Sequence, residues 1–152
     1  MSAEQKLKEL GLALPQVASP MANYVRFKRV GDVVYLSGQG PRLPDGTMAT
    51  GKVGGDVTTA QAYEHAKLVG LGLLAAMKEA AGSLDKVEVI KLLGMVNGVP
   101  EFGEQPQVIN GCSDLLVAVL GENGRHARSA VGMGSLPGNI TVEIEVIIKV
   151  LP

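Results

Sequence analysis

The segment ARSAVGMGSLPGNITVEIEVIIKVL, residues 127–151, carries the reading of the fold. Two β-rich runs, 127–134 and 140–151, flank the turn Pro137-Gly138-Asn139. Proline presets φ, and glycine and asparagine tolerate positive φ, so the three close a tight turn. The pattern predicts two final strands joined as a hairpin. In the second run Ile140, Val142, Ile144, Val146 and Ile148 fall on one face, and Thr141, Glu143, Glu145, Ile147 and Lys149 on the other, because side chains alternate along a strand. Two acidic residues in so apolar a strand are an exception: they are either merely solvated or there for chemistry. In the first run Arg128 shares a face with Ala130, Gly132 and Gly134. Small residues beside a long cation leave room for a ligand, and a guanidinium fork suits a carboxylate or phosphate. The same residues also allow a plain ion pair from Arg128 to Glu143 or Glu145 across the hairpin. Periodicity leaves both readings open.

Working back along the chain, residues 87–95 form an apolar run that reads as a largely buried strand. After Pro106, Val108, Ile109, Cys112, Leu115, Leu116 and Val119 recur at helical spacing and stop at Gly121. Upstream, Thr58 or Thr59 caps a longer helix whose apolar positions include Ala62, Ala66, Val69, Leu73, Leu74, Met77 and Ala81, ended by Gly82. Residues 24–30 and 33–37 are β-rich runs around Gly31-Asp32, a hairpin turn. Residues 38–55 are rich in turns. Ser2 with Gln5 makes a capping box for a short N-terminal helix containing Leu7 and Leu10, and Pro15 and Pro20 keep the following stretch extended. The whole is one domain, 1–152, with residues 1–22 as a helix and extended lead-in. The predicted order is hairpin, helix, strand, helix, hairpin: an α+β fold whose mixed sheet carries two long helices on one face. The strands are apolar on both sides, so a second subunit is the simplest cover for the other face.

Composition narrows the function. The formal charge is −1, which offers nucleic acid and anionic membrane little electrostatic attraction. Tryptophan is absent and Phe and Tyr total five (2 and 3), so no aromatic platform for single strands is legible. A single cysteine, Cys112, precludes an internal disulfide or a thiolate metal cluster; its place in a helical apolar period marks it as a core thiol. The N-terminus lacks an apolar signal core and no run approaches a membrane span, so a cytoplasmic protein is expected. His65 falls within the first long helix and His126 in a loop, without metal spacing to Cys112. Gly70-x-Gly72 lies inside a helix and Gly132-x-Gly134 has no helix after it, so neither is a phosphate loop.

Arg128-Ser129-Ala130-Val131, then Leu136-Pro137, then Val142-Glu143-Ile144-Glu145 closely resemble the C-terminal signature of the Rid family, the YjgF-type reactive intermediate/imine deaminases also called L-PSP endoribonuclease-like. Tyr24-Val25, the Ser37-Gly38-Gln39 turn and the order of elements agree from about Asn23 onward, in the manner of a longer subgroup. The resemblance implies a chorismate-mutase-like fold, a homotrimer with ligand clefts between subunits, and no cofactor or metal. It implies hydrolysis of an enamine or imine such as 2-aminoacrylate to a 2-keto acid and ammonia. Arg128 matches the family's carboxylate-gripping arginine and Glu143 its water-positioning glutamate; Tyr24, Ser37, Gly38, Asn110 and Ala130 match the cleft lining. Ala130 departs from the cysteine common in the deaminases. A non-catalytic carboxylate-binding trimer is the alternative, and a ribonuclease or translation inhibitor finds the least support in a chain of this charge.

Overall fold

The computed structural model describes residues 1–152 except Ala18 and Met21, so the part of the extended lead-in that falls on those two lies outside the described residues. The elements in chain order are α1 (Ala3–Glu9), β1 (Phe27–Val30), β2 (Val33–Leu36), α2 (Thr59–Ala81), β3 (Val87–Asn97), α3 (Gln105–Leu120), β4 (Ala127–Met133) and β5 (Val142–Val150). The starts of α1 and α2 and the end of α2 lie where the sequence chemistry directs. Ser2 and Gln5 close a capping box on α1, and Thr58 and Gln61 close one on α2, each satisfying two backbone N–H groups that a helix start leaves unpaired. Gly82 ends α2 at φ +79°, a left-handed position that glycine adopts without steric cost.

The sheet has five strands in the order β1-β2-β5-β3-β4. β3 and β4 run parallel and the remaining neighbours antiparallel. The expected mixed sheet is present, and so is the first hairpin, with Val30 opposite Val33 across Gly31-Asp32. The expected final hairpin is not. β4 and β5 lie on either side of β3 and never pair. The reason is local: α3 returns the chain so that β4 runs parallel to β3, and the 134–141 segment then crosses the end of β3 to reach its other edge. Asn97 fixes that crossing. Fully buried at the end of β3, its Nδ2 donates to the Asn139 Oδ1 at 2.9 Å and the Gly51 carbonyl at 3.1 Å, while its Oδ1 accepts from Lys52 Nζ at 2.6 Å. The turn residues therefore bind a loop instead of closing a ladder.

The core lies between the sheet and α2 and α3. Val142, Ile144, Val146 and Ile148 of β5 and Leu92 and Val96 of β3 meet Val69, Leu73 and Met77 of α2 and Ile109, Cys112 and Leu116 of α3. With no large aromatic core residues, the helices approach closely. A Cβ on Gly111 would collide with the Tyr63 carbonyl, and one on Gly70 would press on Leu115 and Cys112. Gly70 of the Gly70-x-Gly72 pair is thus a packing device between the helices, while Gly72 makes room for Gln39. α1 caps one end of this layer through Ala3 and Leu7, its Ala3 N–H donating to Asp85 at 2.8 Å. On the opposite face of the sheet the buried hydrophobics among the described residues form a small cluster of Met95, Leu136 and Ile140.

Candidate functional site

Arg128 stands on β4, an edge strand, directly beside Leu92 of β3, which in turn faces Val146 of β5. That register sets its side chain on the helix side of the sheet. Glu143 is opposite Met95 and Glu145 opposite Leu93, one residue out of phase, so both carboxylates lie on the other side. With β3 between them, β4 and β5 are two strand spacings apart, roughly 10 Å. The cross-strand ion pair that a hairpin would allow does not form. The residues matched to a single cleft divide into two groups.

The first group is built on Arg128 and α3. One guanidinium nitrogen, NH1, donates to Asn110 Oδ1 at 2.8 Å and to Ser113 Oγ at 3.2 Å. Asn110 and Ser113 are three apart on α3 and so share a helix edge. Nε and NH2 make no hydrogen bond among the described residues, and neither is a buried group left unsatisfied. Both therefore reach solvent, and an Nε/NH2 edge is one of the two edges that a carboxylate engages with paired hydrogen bonds. Ala130, two residues along on the same face, packs against the core. Beyond it a Cβ on Gly132 would meet the Gln105 amide, so the room expected beside the small residues is partly filled. The open space lies on the other side of Arg128, in a cavity of about 260 Å³ lined by Ser113, Val117, Arg125, His126 and Arg128.

Ser113 escaped the sequence reading, and His126 entered it only as a loop histidine without metal spacing. His126 Nδ1 is 2.6 Å from the Gly124 carbonyl and its Nε2 is 2.9 Å from Ser113 Oγ. A carbonyl only accepts, so Nδ1 carries the proton and the neutral ring accepts the Ser113 hydroxyl at Nε2. Burial first, with the Arg128 charge in the same direction, holds His126 below its ordinary value against the opposing Gly124 hydrogen bond. The spacing of Asn110 and Ser113 was the available signal for Ser113; His126 had none, because only the fold brings the 121–126 turn against α3.

The second group is built on β5 and the turn after β2. Gln39 exchanges backbone hydrogen bonds with Ile144, at 3.0 and 3.1 Å, which lays Gly38 against Glu143. A Cβ on Gly38 would come within 2.9 Å of Glu143 Oε2, so glycine there lets the backbone reach the carboxylate. Ser37 Oγ donates to the Val25 carbonyl at 2.6 Å, and Tyr24 is half exposed. Burial, and then the neighbouring Glu145, push the Glu143 carboxyl above its ordinary value. A carboxyl raised this way can both take and return a proton closer to neutrality.

The other candidates have settled roles. Cys112 is fully buried and burial pushes its thiol up to about 12, which makes it a core group. His65 Nδ1 lies 3.0 Å from Thr141 Oγ1, a buried hydroxyl. Among the described residues no cluster of three His, Cys, Asp or Glu is placed to hold a metal ion, and no helix is long and apolar enough to cross a membrane.

Comparison with known proteins shows the family and the fold. The family described as "YjgF/chorismate mutase-like, putative endoribonuclease" matches residues 4–148. A solved protein of unknown function from Agrobacterium tumefaciens is 51% identical, with a TM-score of 0.88 over 97% of this chain and 93% of that one. A structure described as a putative endoribonuclease from Shewanella oneidensis is 32% identical, with a TM-score of 0.94 over 99% of this chain and 100% of that one. RidA from an Antarctic Psychrobacter is 28% identical, with a TM-score of 0.63 over 89% and 94% of the two chains.

Proposed function

The chain belongs to the Rid (YjgF/chorismate-mutase-like) family, and from that premise we propose that it is an enamine/imine deaminase acting in clefts between the subunits of a cytoplasmic homotrimer. The observation that carries the reading is the state of Arg128: one nitrogen is tied to Asn110 and Ser113, and the Nε/NH2 edge is left to solvent beside a cavity. A preorganised cation of this kind grips a carboxylate without first losing its own rotamer freedom. The division of the site supports the subunit cleft. Arg128, Asn110 and Ala130 form one half; Gly38 and Glu143, on the other side of the sheet, with Ser37 beside Gly38, form the second, to which the family match adds Tyr24. One chain supplies the first half and its neighbour the second.

The chemistry asks little of the protein. An enamine such as 2-aminoacrylate tautomerises to its imine; water then adds to the C=N carbon, and the resulting carbinolamine expels ammonia and leaves a 2-keto acid. Arg128 orients the substrate by its carboxylate. Glu143, with its raised carboxyl, accepts a proton from the attacking water and returns it to the departing nitrogen. Positioning and one acid–base group suffice for so labile a bond.

The test is the decay of 2-aminoacrylate, or of imines generated by an amino-acid oxidase, with and without the protein. Acceleration by wild type and its loss in Arg128→Ala are expected; equal rates with wild type, Arg128→Ala and no protein, across several imines, would sink the reading. One observation favours a second reading. Ala130 offers no thiol where the deaminases commonly carry cysteine, which would suit a trimer that only binds carboxylates. Calorimetric binding of 2-ketobutyrate without turnover of any imine would select it. RNA cleavage has weaker support, because His65 and His126 are committed to separate internal hydrogen bonds.

A further inference from the structure

We propose that Ser113 and His126 are positioning residues that hold Arg128 in its ligand-gripping pose, through a directed hydrogen-bond chain that ends on the backbone of Gly124. The inference rests on reading Arg128 as a carboxylate grip.

The chain has only one consistent direction. The Gly124 carbonyl can only accept, so at 2.6 Å it takes the proton on His126 Nδ1. The neutral ring then presents a lone pair at Nε2, and the Ser113 hydroxyl 2.9 Å away must donate to it. Donating its proton leaves Ser113 Oγ with both lone pairs, one of which receives Arg128 NH1 at 3.2 Å. The second NH1 hydrogen goes to Asn110 at 2.8 Å. Both NH1 protons are thus spoken for, and the paired donors left to a ligand are those of Nε and NH2. A serine with a free rotor would serve less well, because its hydroxyl proton could turn toward the guanidinium. His126 removes that option. The burial that keeps the ring below its ordinary value keeps it in the accepting form at neutral pH.

The geometry also explains why a loop histidine is half-buried at all. The 121–126 segment is a tight turn after α3 in which a Cβ on Gly124 would overlap the Leu116 carbonyl. Glycine there draws the turn onto α3, and the next residues but one deliver His126 against Ser113. The cavity wall beside Arg128 is made by these same residues, so the turn that shapes the cavity also orients its cation.

Three measurements test the chain. In ligand-free protein at neutral pH, long-range 1H–15N correlation should find His126 as the Nδ1–H tautomer; an Nε2–H tautomer overturns the proposal. The Arg128 Nη signals should be slow-rotating and distinct in wild type and in Ser113→Thr, which keeps the hydroxyl, and should coalesce in Ser113→Ala and His126→Leu. Unchanged signals in both of the last two variants overturn it. Affinity for 2-ketobutyrate should fall about five- to tenfold in Ser113→Ala, with recovery to within about twofold in Ser113→Thr. Affinity for the uncharged 2-oxobutanamide should be the same in all three proteins. An equal loss for acid and amide signals general damage to the cleft and counts against a positioning role. If wild type binds neither compound, the grip reading of Arg128 fails on its own, while the tautomer and Nη signals still judge the chain.

Discussion

Arg128 lies near enough to Cys112 of α3 for its charge to act on the thiol, yet their environments send the two in opposite directions. Arg128 keeps an edge of its guanidinium in solvent, whereas Cys112 is sealed and its thiol pushed up to about 12. Thiolate is the reactive form, so iodoacetamide should leave the folded protein unmodified and alkylate it once in denaturant, read by mass spectrometry; rapid labelling of the native state would contradict the burial. Arg128→Lys keeps the charge and removes the fork. If the Nε/NH2 edge is the grip, 2-ketobutyrate affinity in this variant should drop about tenfold or more, despite the retained cation. His126 supplies a pH dependence. Its folded value lies below the ordinary one, so between the two the unfolded chain binds the extra proton. Its contribution to stability is therefore full above about pH 6.5 and is lost as pH falls toward the folded value. A 1H titration should place the folded His126 midpoint below that of the denatured chain; a midpoint at or above it would reverse the sign. At this scale the sequence was legible where chemistry and periodicity coincided: Arg128 beside small residues, Cys112 on the apolar stripe. His126 was not legible, since nothing within a few residues announces that it will meet Ser113.

The helices were the most readable elements, because their boundaries are written locally. The Ser2–Gln5 capping box, the cap at Thr58 and Gly82 as the stop lie where the sequence puts them. The crossing of α2 and α3 is less visible, yet the glycines inside both helices mark it. Gly111→Ala would drive a methyl into the Tyr63 carbonyl, and a close-packed interface has no slack to receive it. A loss of about 1–3 kcal/mol or more in urea unfolding is expected, against about 1 kcal/mol gained if helix propensity alone decided. The sign of the change settles which effect governs. Strand partners were the least readable. Residues 134–141 have every mark of a hairpin turn, and turn chemistry is local. Whether the strands on either side pair depends on which edge of β3 each one finds. α3 delivers β4 parallel to β3, and Asn97 holds Asn139 over the strand end. The local turn chemistry of residues 134–141 does not encode that choice of edge.

At the scale of the molecule, the two halves of the candidate site lie on opposite sides of one sheet, and this makes the proposed assembly testable by mixing. In co-refolded subunits carrying Arg128→Ala or Glu143→Gln, each inactive alone, a cleft that takes Arg128 from one chain and Glu143 from its neighbour is intact whenever the two types adjoin in the right order. Random 1:1 mixing should restore about one quarter of wild-type activity in a ring of three. No recovery would place both residues in one chain's cleft and contradict the division described above. The sequence by itself determined the α+β class, the helices, the apolar face of β5 and the family signature, because propensity, capping and periodicity act within a few residues of one another. Tertiary structure alone decided that β3 separates β4 from β5, that Arg128 and Glu143 part to opposite faces, and that Ser113 and His126 stand behind the arginine. Those outcomes depend on strand order and helix docking, where residues far apart in the chain compete for the same neighbours and no local pattern names the winner.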